Sequence, residues 1–180
     1  MTTIKLNELK KELKGLNEKE LTQIIVELYK VNKDAQELLS IKFIGDEAVE
    51  ALFLKSKKQI KDEFFPGDED EKLRLKEAKK SISNFKKMTN DLIRTVDLML
   101  YYVEIGTEFT NTYGDIDESF YGSMVSMFEK VVNECLKNEE LYAKFKDRMD
   151  TVVEDSDGIG WGYHDVLDEL YFSMVGVMEE

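Results

Sequence analysis

Apolar residues in this chain recur three and four positions apart from end to end, and nowhere do they alternate over the length of a strand. That spacing gathers them on one face of a helix, whereas a half-buried strand needs a period of two. One proline, Pro66, stands in 180 residues, so little interrupts helical hydrogen bonding. Leu, Glu, Lys and Met, which lose little rotamer freedom in a helix, are abundant. The one Asp-Gly pair, Asp157-Gly158, precedes a Gly-rich turn and is not flanked by alternating segments, so it marks no hairpin. The expectation is an all-α chain of about nine helices in an antiparallel helical bundle or a short stack of helical hairpins. No fixed-period repeat points to a solenoid.

The helices can be placed one by one. Leu6, Leu9 and Leu13 predict a first helix over residues 3–14, closed by Gly15. Asn17 with Glu20 three positions on reads as a capping box, and Leu21, Ile24, Ile25 and Leu28 form the inner stripe of a second helix. Asp34 is placed to cap a short third helix. A fourth carries Val49, Leu52, Phe53, Ile60 and Phe64 and stops at Pro66-Gly67. Asp68, Glu69, Asp70 and Glu71 make the clearest loop and lead into a fifth helix over 71–88. There Leu75, Ala78, Ile82 and Phe85 oppose Lys72, Lys76, Lys79, Lys80, Lys86 and Lys87. A sixth helix from Asp91 is dense in apolar residues (Val96, Met99, Leu100, Val103) and is expected at the centre. Asp117 and Asn138 cap a seventh and an eighth. A ninth, over 163–178, bears Leu167, Leu170, Tyr171, Phe172, Met174, Val175, Val177 and Met178 almost all round. It is therefore expected to be central or, as the second choice, a homodimer contact through this C-terminal helix. The length fits one all-helical domain, 1–180, with an N-terminal subdomain 1–65, a loop 66–71 and a core 72–180.

Charge is distributed unevenly. Residues 1–94 hold 20 Lys or Arg against 18 Asp or Glu, while residues 95–180 hold 5 against 20. The second half should repel nucleic acid and anionic membranes. The lysine row of the fifth helix has no interleaved aromatics, so it reads as a solvated face or as a surface for an acidic one, not as a nucleic-acid groove. No apolar run reaches the roughly 20 residues of a membrane span. No secretory leader is visible, and Cys135 has no second cysteine to pair with, so a cytoplasmic location is expected. Lysine far outnumbers arginine, a bias in keeping with an AT-rich bacterial genome.

The most unusual segment runs from Asp155 to Asp165 and contains Gly158, Gly160, Gly162, the only tryptophan, Trp161, and the only histidine, His164. Glycines before a helix can present free N–H groups to an anion. Trp161 can stack on a planar ligand, and His164 with Asp168, four apart, share a helix face and have metal-ligand chemistry. Asp155, Asp157, Gly160, Trp161, His164 and Asp168 are thus the candidate ligand-binding residues. The plainer reading has the glycines turning the chain while Trp161 plugs the end of the core. Known signatures fail: the Gly-x-Gly-x-Gly run follows no strand, and a calcium loop from Asp155 would place Val166 where a bidentate acid belongs. The acids Asp115, Asp117 and Glu118 suit a helix start with no ligand present. Cys135 lies on the stripe with Phe128 and Val131, as a small core residue would. With one histidine and no Gly-x-Ser-x-Gly elbow, no catalytic residue stands out.

Five stretches carry a resemblance to a known family. They are Leu73-Arg74-Leu75-Lys76-Glu77-Ala78-Lys79-Lys80, Asp97-Leu98-Met99-Leu100-Tyr101-Tyr102-Val103-Glu104, Phe109-Thr110-Asn111, Tyr113-Gly114-Asp115-Ile116 and Gly158-Ile159-Gly160-Trp161-Gly162-Tyr163-His164-Asp165. In these the chain resembles a family of small bacterial proteins catalogued only as a domain of unknown function. The resemblance implies an all-helical, cytoplasmic bacterial protein and supplies no activity, cofactor or catalytic residue. The function expected is therefore a non-enzymatic helical module with a protein partner and no cofactor. The alternative is a small-ligand, anion or metal-binding protein, enzyme or not, using the turn at 155–165.

Overall fold

Helices begin where a polar side chain can satisfy the free amides of a first turn. The computed structural model describes residues 2–67 and 73–179, and the chain is helical through most of them, with no strand among them. The elements are α1 (Leu6–Lys14), α2 (Glu18–Val31), α3 (Lys33–Ile44), α4 (Asp46–Phe64), α5 (Leu75–Thr89), α6 (Leu92–Tyr113), α7 (Glu118–Cys135), α8 (Glu139–Asp155) and α9 (Tyr163–Met178). The Asn17 carboxamide accepts from the amides of Lys19 and Glu20, while Glu20 reaches back to the Asn17 amide at 2.8 Å. That is the reciprocal box read from the sequence. Asp91, Asp117 and Asn138 cap α6, α7 and α8 as expected.

Two starts differ. The cap of α3 is Asn32, whose Oδ1 accepts from the Ala35 amide at 3.0 Å. Asn32 has the extended backbone a cap requires, while Asp34 is already inside the first turn. α5 begins at Leu75, not residue 71. The acidic run 68–71, expected to lead into it, lies outside the described residues, as does Lys72.

The chain divides into two compact units, residues 1–48 and 49–180. The division falls inside α4, because Leu52, Phe53, Ser56, Ile60 and Phe64 are buried from the second turn of α4 onward. In the first unit α2 packs on α3, yet no residue of α1, α2 or α3 is fully buried. The stripe expected to face inward on α2 is half open: Ile25 is 48% and Leu28 51% exposed.

The second unit holds the core. α6 lies at its centre as expected, buried nearly all round and packed on α5, α7 and α8. A glycine allows the closest approach: a Cβ on Gly106 would lie 2.3 Å from the Met124 sulfur of α7. Phe64, Tyr102, Phe109 and Phe120 meet edge to face and tilted, an arrangement favoured by aromatic quadrupoles. α9, expected at the centre, is not there. It packs on α7 and α8 through Tyr163, Leu167, Tyr171 and Met174, one stripe at helical spacing, and Phe172 and Val177 remain in solvent.

Candidate functional site

The turn from Ser156 to Gly162 is fixed by its neighbours. Gly158 and Gly162 adopt positive φ (77° and 65°), where glycine has no penalty. Trp161 adopts it too, at 62°. A side chain in that region costs about 1–2 kcal/mol, and nothing is recovered by burial, since Trp161 is 60% exposed. The plug expected from the sequence is therefore absent: Tyr163, 1% exposed, fills the core at this point instead. Its hydroxyl pairs with Thr107 at 2.8 Å, and Thr107 donates onward to the Val103 carbonyl. Burial pushes the Tyr163 phenol well above its usual range, so it serves as a hydrogen-bond donor.

Three segments that carry the resemblance meet here. The Asn111 amide donates to the Asp155 carbonyl at 2.8 Å. Asp115 accepts from the Gly160 amide at 3.3 Å and from the Tyr121 hydroxyl at 2.9 Å. Gly160 has to be glycine for this contact, because a Cβ would sit 2.7 Å from Asp115 Oδ2. Tyr121 also receives the Ile116 amide at 3.3 Å and packs against the Tyr163 ring. Burial raises the Tyr121 phenol, which stays a protonated donor. Sequence reasoning missed Asn111 and Tyr121 as supports of the turn; the only signal was that the segments around 111 and 115 belong to the resemblance.

His164 is half-buried, and its Nδ1 lies 3.1 Å from the Val153 carbonyl and 3.0 Å from Ser156 Oγ. A carbonyl only accepts, so Nδ1 must carry hydrogen. In the neutral ring the lone pair then sits on Nε2. No hydrogen bond joins His164 to Asp168 among the described residues, and the carboxylates of Asp155 and Asp157 are in solvent. Among the described residues no three or more His, Cys, Asp or Glu side chains are grouped to hold a metal ion. Gly160, the Asp155 carbonyl and His164 are hydrogen-bonded into the scaffold, Asp155, Asp157 and Trp161 are exposed, and Asp168 is half-buried.

Two further groups bear on chemistry. Burial pushes the Cys135 thiol up to about 11, so it is a thiol at neutral pH, fully buried on its stripe. Arg148 of α8 makes a two-pronged contact with Glu104 (2.8 and 2.9 Å) and reaches Asp97 at 3.1 Å. Lys57 of α4 pairs with Asp97 at 3.2 Å and lies over the Phe53 and Tyr101 rings. Two cations and two carboxylates balance within one network, an arrangement that joins α4, α6 and α8.

The first unit offers a different surface. Ile25, Val26 and Tyr29 of α2 and Leu39, Phe43 and Ile44 of α3 line a groove of about 330 Å³. Phe43 is 78% and Ile44 60% exposed.

The described chain is an all-helical protein with a fixed, acidic, tryptophan-tipped turn and an open apolar helical face. It belongs to the family of unknown function DUF6155, whose model matches residues 4–172. No curated protein and no solved structure matches the chain. No helix among the described residues is long and apolar enough to cross a membrane.

Proposed function

We propose that the chain is a helical protein-interaction module with no chemistry of its own, using α1–α3 to engage a protein partner. One observation carries this reading. α2 and α3 expose large apolar side chains around a groove, and no residue of α1, α2 or α3 is buried. Helices this short gain most of their stability from packing an apolar face, and here that face is only partly covered within its own unit. Open apolar patches of this kind mark association surfaces. A photo-crosslinking amino acid in place of Phe43, introduced in the native cell, tests it. The expected result is one discrete protein adduct that disappears with Ile25→Asp and Tyr29→Asp. Absence of any adduct from positions 25, 43 and 44 would overturn the reading.

A small-ligand reading is favoured by one observation, the fixed tautomer of His164 with its acceptor at Nε2. Calorimetric titration with zinc tests its metal form; the reading predicts binding that His164→Ala removes, and no heat from the native protein would end it.

A further inference from the structure

No lysine or arginine occurs between Met149 and Glu180, while acids occur throughout. α9 buries only one stripe of this segment. On its outer face Asp165, Glu169, Phe172 and Gly176 follow one another at i, i+4, i+7 and i+11, a single row along the helix. Val166, Ser173 and Val177 form the adjacent row. All seven are exposed, Phe172 at 56% and Val177 at 65%. Just ahead of the first turn stands Trp161, exposed and in the left-handed backbone region (φ 62°) that glycine adopts without penalty, as Gly162 beside it does. Aromatic anchors among charges of one sign are the composition of a recognition surface, since tryptophan dominates interface energetics and acids set the sign of the partner.

We propose that the Trp161 turn and the outer face of α9 form a second docking surface, which takes a lysine- and arginine-bearing amphipathic helix from a protein partner. This surface uses no residue of α1–α3. Charge selects the occupant. Nucleic acid and anionic membrane are repelled by the acids. A second copy meeting this face would bring the Asp165 and Glu169 carboxylates of both copies into one interface with no lysine or arginine of α9 to offset them. A basic amphipathic helix satisfies both halves of the surface: its apolar side meets Phe172, Val166 and the indole, and its cations meet the acids and the indole face.

Trp161 is the sole tryptophan and so reports on its own surface. The probe is a synthetic helix of leucine and lysine in amphipathic order, with a leucine–glutamate helix of the same pattern as its counterpart. The lysine helix is expected to blue-shift Trp161 emission, with affinity falling as salt rises, and the glutamate helix to leave it unchanged. With fluorescently labelled lysine helix, Asp165→Lys with Glu169→Lys should weaken binding at least tenfold, and Phe172→Ser should weaken it also. Glu108→Lys with Glu129→Lys makes the same change in net charge at exposed positions of α6 and α7 and should leave affinity within about twofold. Equal weakening by both reversals would overturn the proposal, because general attraction to an acidic protein would then explain the binding. So would sedimentation showing that the native chain pairs with itself and that Asp165→Lys with Glu169→Lys abolishes the pairing. Melting curves of each variant confirm that the helices persist.

Discussion

A carboxylate and a glycine fix the turn at 156–162. Asp115 receives the Gly160 amide and the Tyr121 hydroxyl, and the carboxylate fills the space a methyl group would need. Gly160→Ala must displace that carboxylate. Because Asp115 sits on an exposed loop and can move, the expected loss is about 1 kcal/mol rather than the larger cost of overpacking a core. In an Asp115→Ala background the same substitution should cost next to nothing. A denaturation cycle over the four proteins measures the coupling; equal costs in both backgrounds would show that the contact does not govern the turn. Position 161 has no such internal account. Its backbone is left-handed and its indole is in solvent, so folding alone gives no reason for a tryptophan there.

Among the helices, α6 shows how one end governs an element. Asp91 accepts from the Arg94 amide at 2.9 Å and pairs with the Arg94 guanidinium at 2.8 Å. Partial burial pushes its carboxyl up, but the bonds and charge from Arg94 outweigh burial and hold it below the usual aspartate value. A folded-state value below the unfolded one means the contribution is present at neutral pH and lost as pH falls through the depressed value. Asp91→Ala should therefore lower stability by about 1 kcal/mol at pH 7. The gap from the native protein should close as pH falls below about 4, in urea titrations run as a pH series. A gap unchanged with pH would assign the loss to packing. Arg94 keeps a second partner, Glu50 at 3.1 Å, so the variant should stay folded. The ninth helix teaches the opposite lesson. Its apolar residues encircle it in sequence, yet neighbours cover one stripe only, and composition could not show how many neighbours a helix has.

Across the whole molecule, the fully buried side chains are gathered in one part of the chain. Among the described residues, every buried apolar residue lies at or beyond Leu52. A fragment of residues 46–180, which keeps α4 entire, should unfold in one cooperative transition near that of the full chain, as followed by circular dichroism. A broad, non-cooperative melt would show that α1–α3 are needed for the core. Net negative charge belongs mainly to the same part of the molecule, since residues 95–180 hold 5 Lys or Arg against 20 Asp or Glu.

Helix class, helix number and most helix starts were legible because they are local. A side chain at a cap reaches its own backbone within three residues, and a 3.6-residue period declares a face without saying what covers it. Asn17, Asp91, Asp117 and Asn138 could be read this way; Asn32 could not, because two polar residues compete at that start and backbone geometry chose between them. Cys135 was legible as core from its stripe. What only the tertiary structure decided is which faces find a partner. The stripe of α6 does; half of α2's stripe and half of the apolar residues of α9 do not. Nor could spacing reveal that Asn111, Asp115 and Tyr121 fix a turn about 45 residues away, or that Tyr163 rather than Trp161 fills the core there. Burial is a property of contacts between segments distant in sequence, and no local pattern encodes which of two neighbouring aromatics will be turned inward.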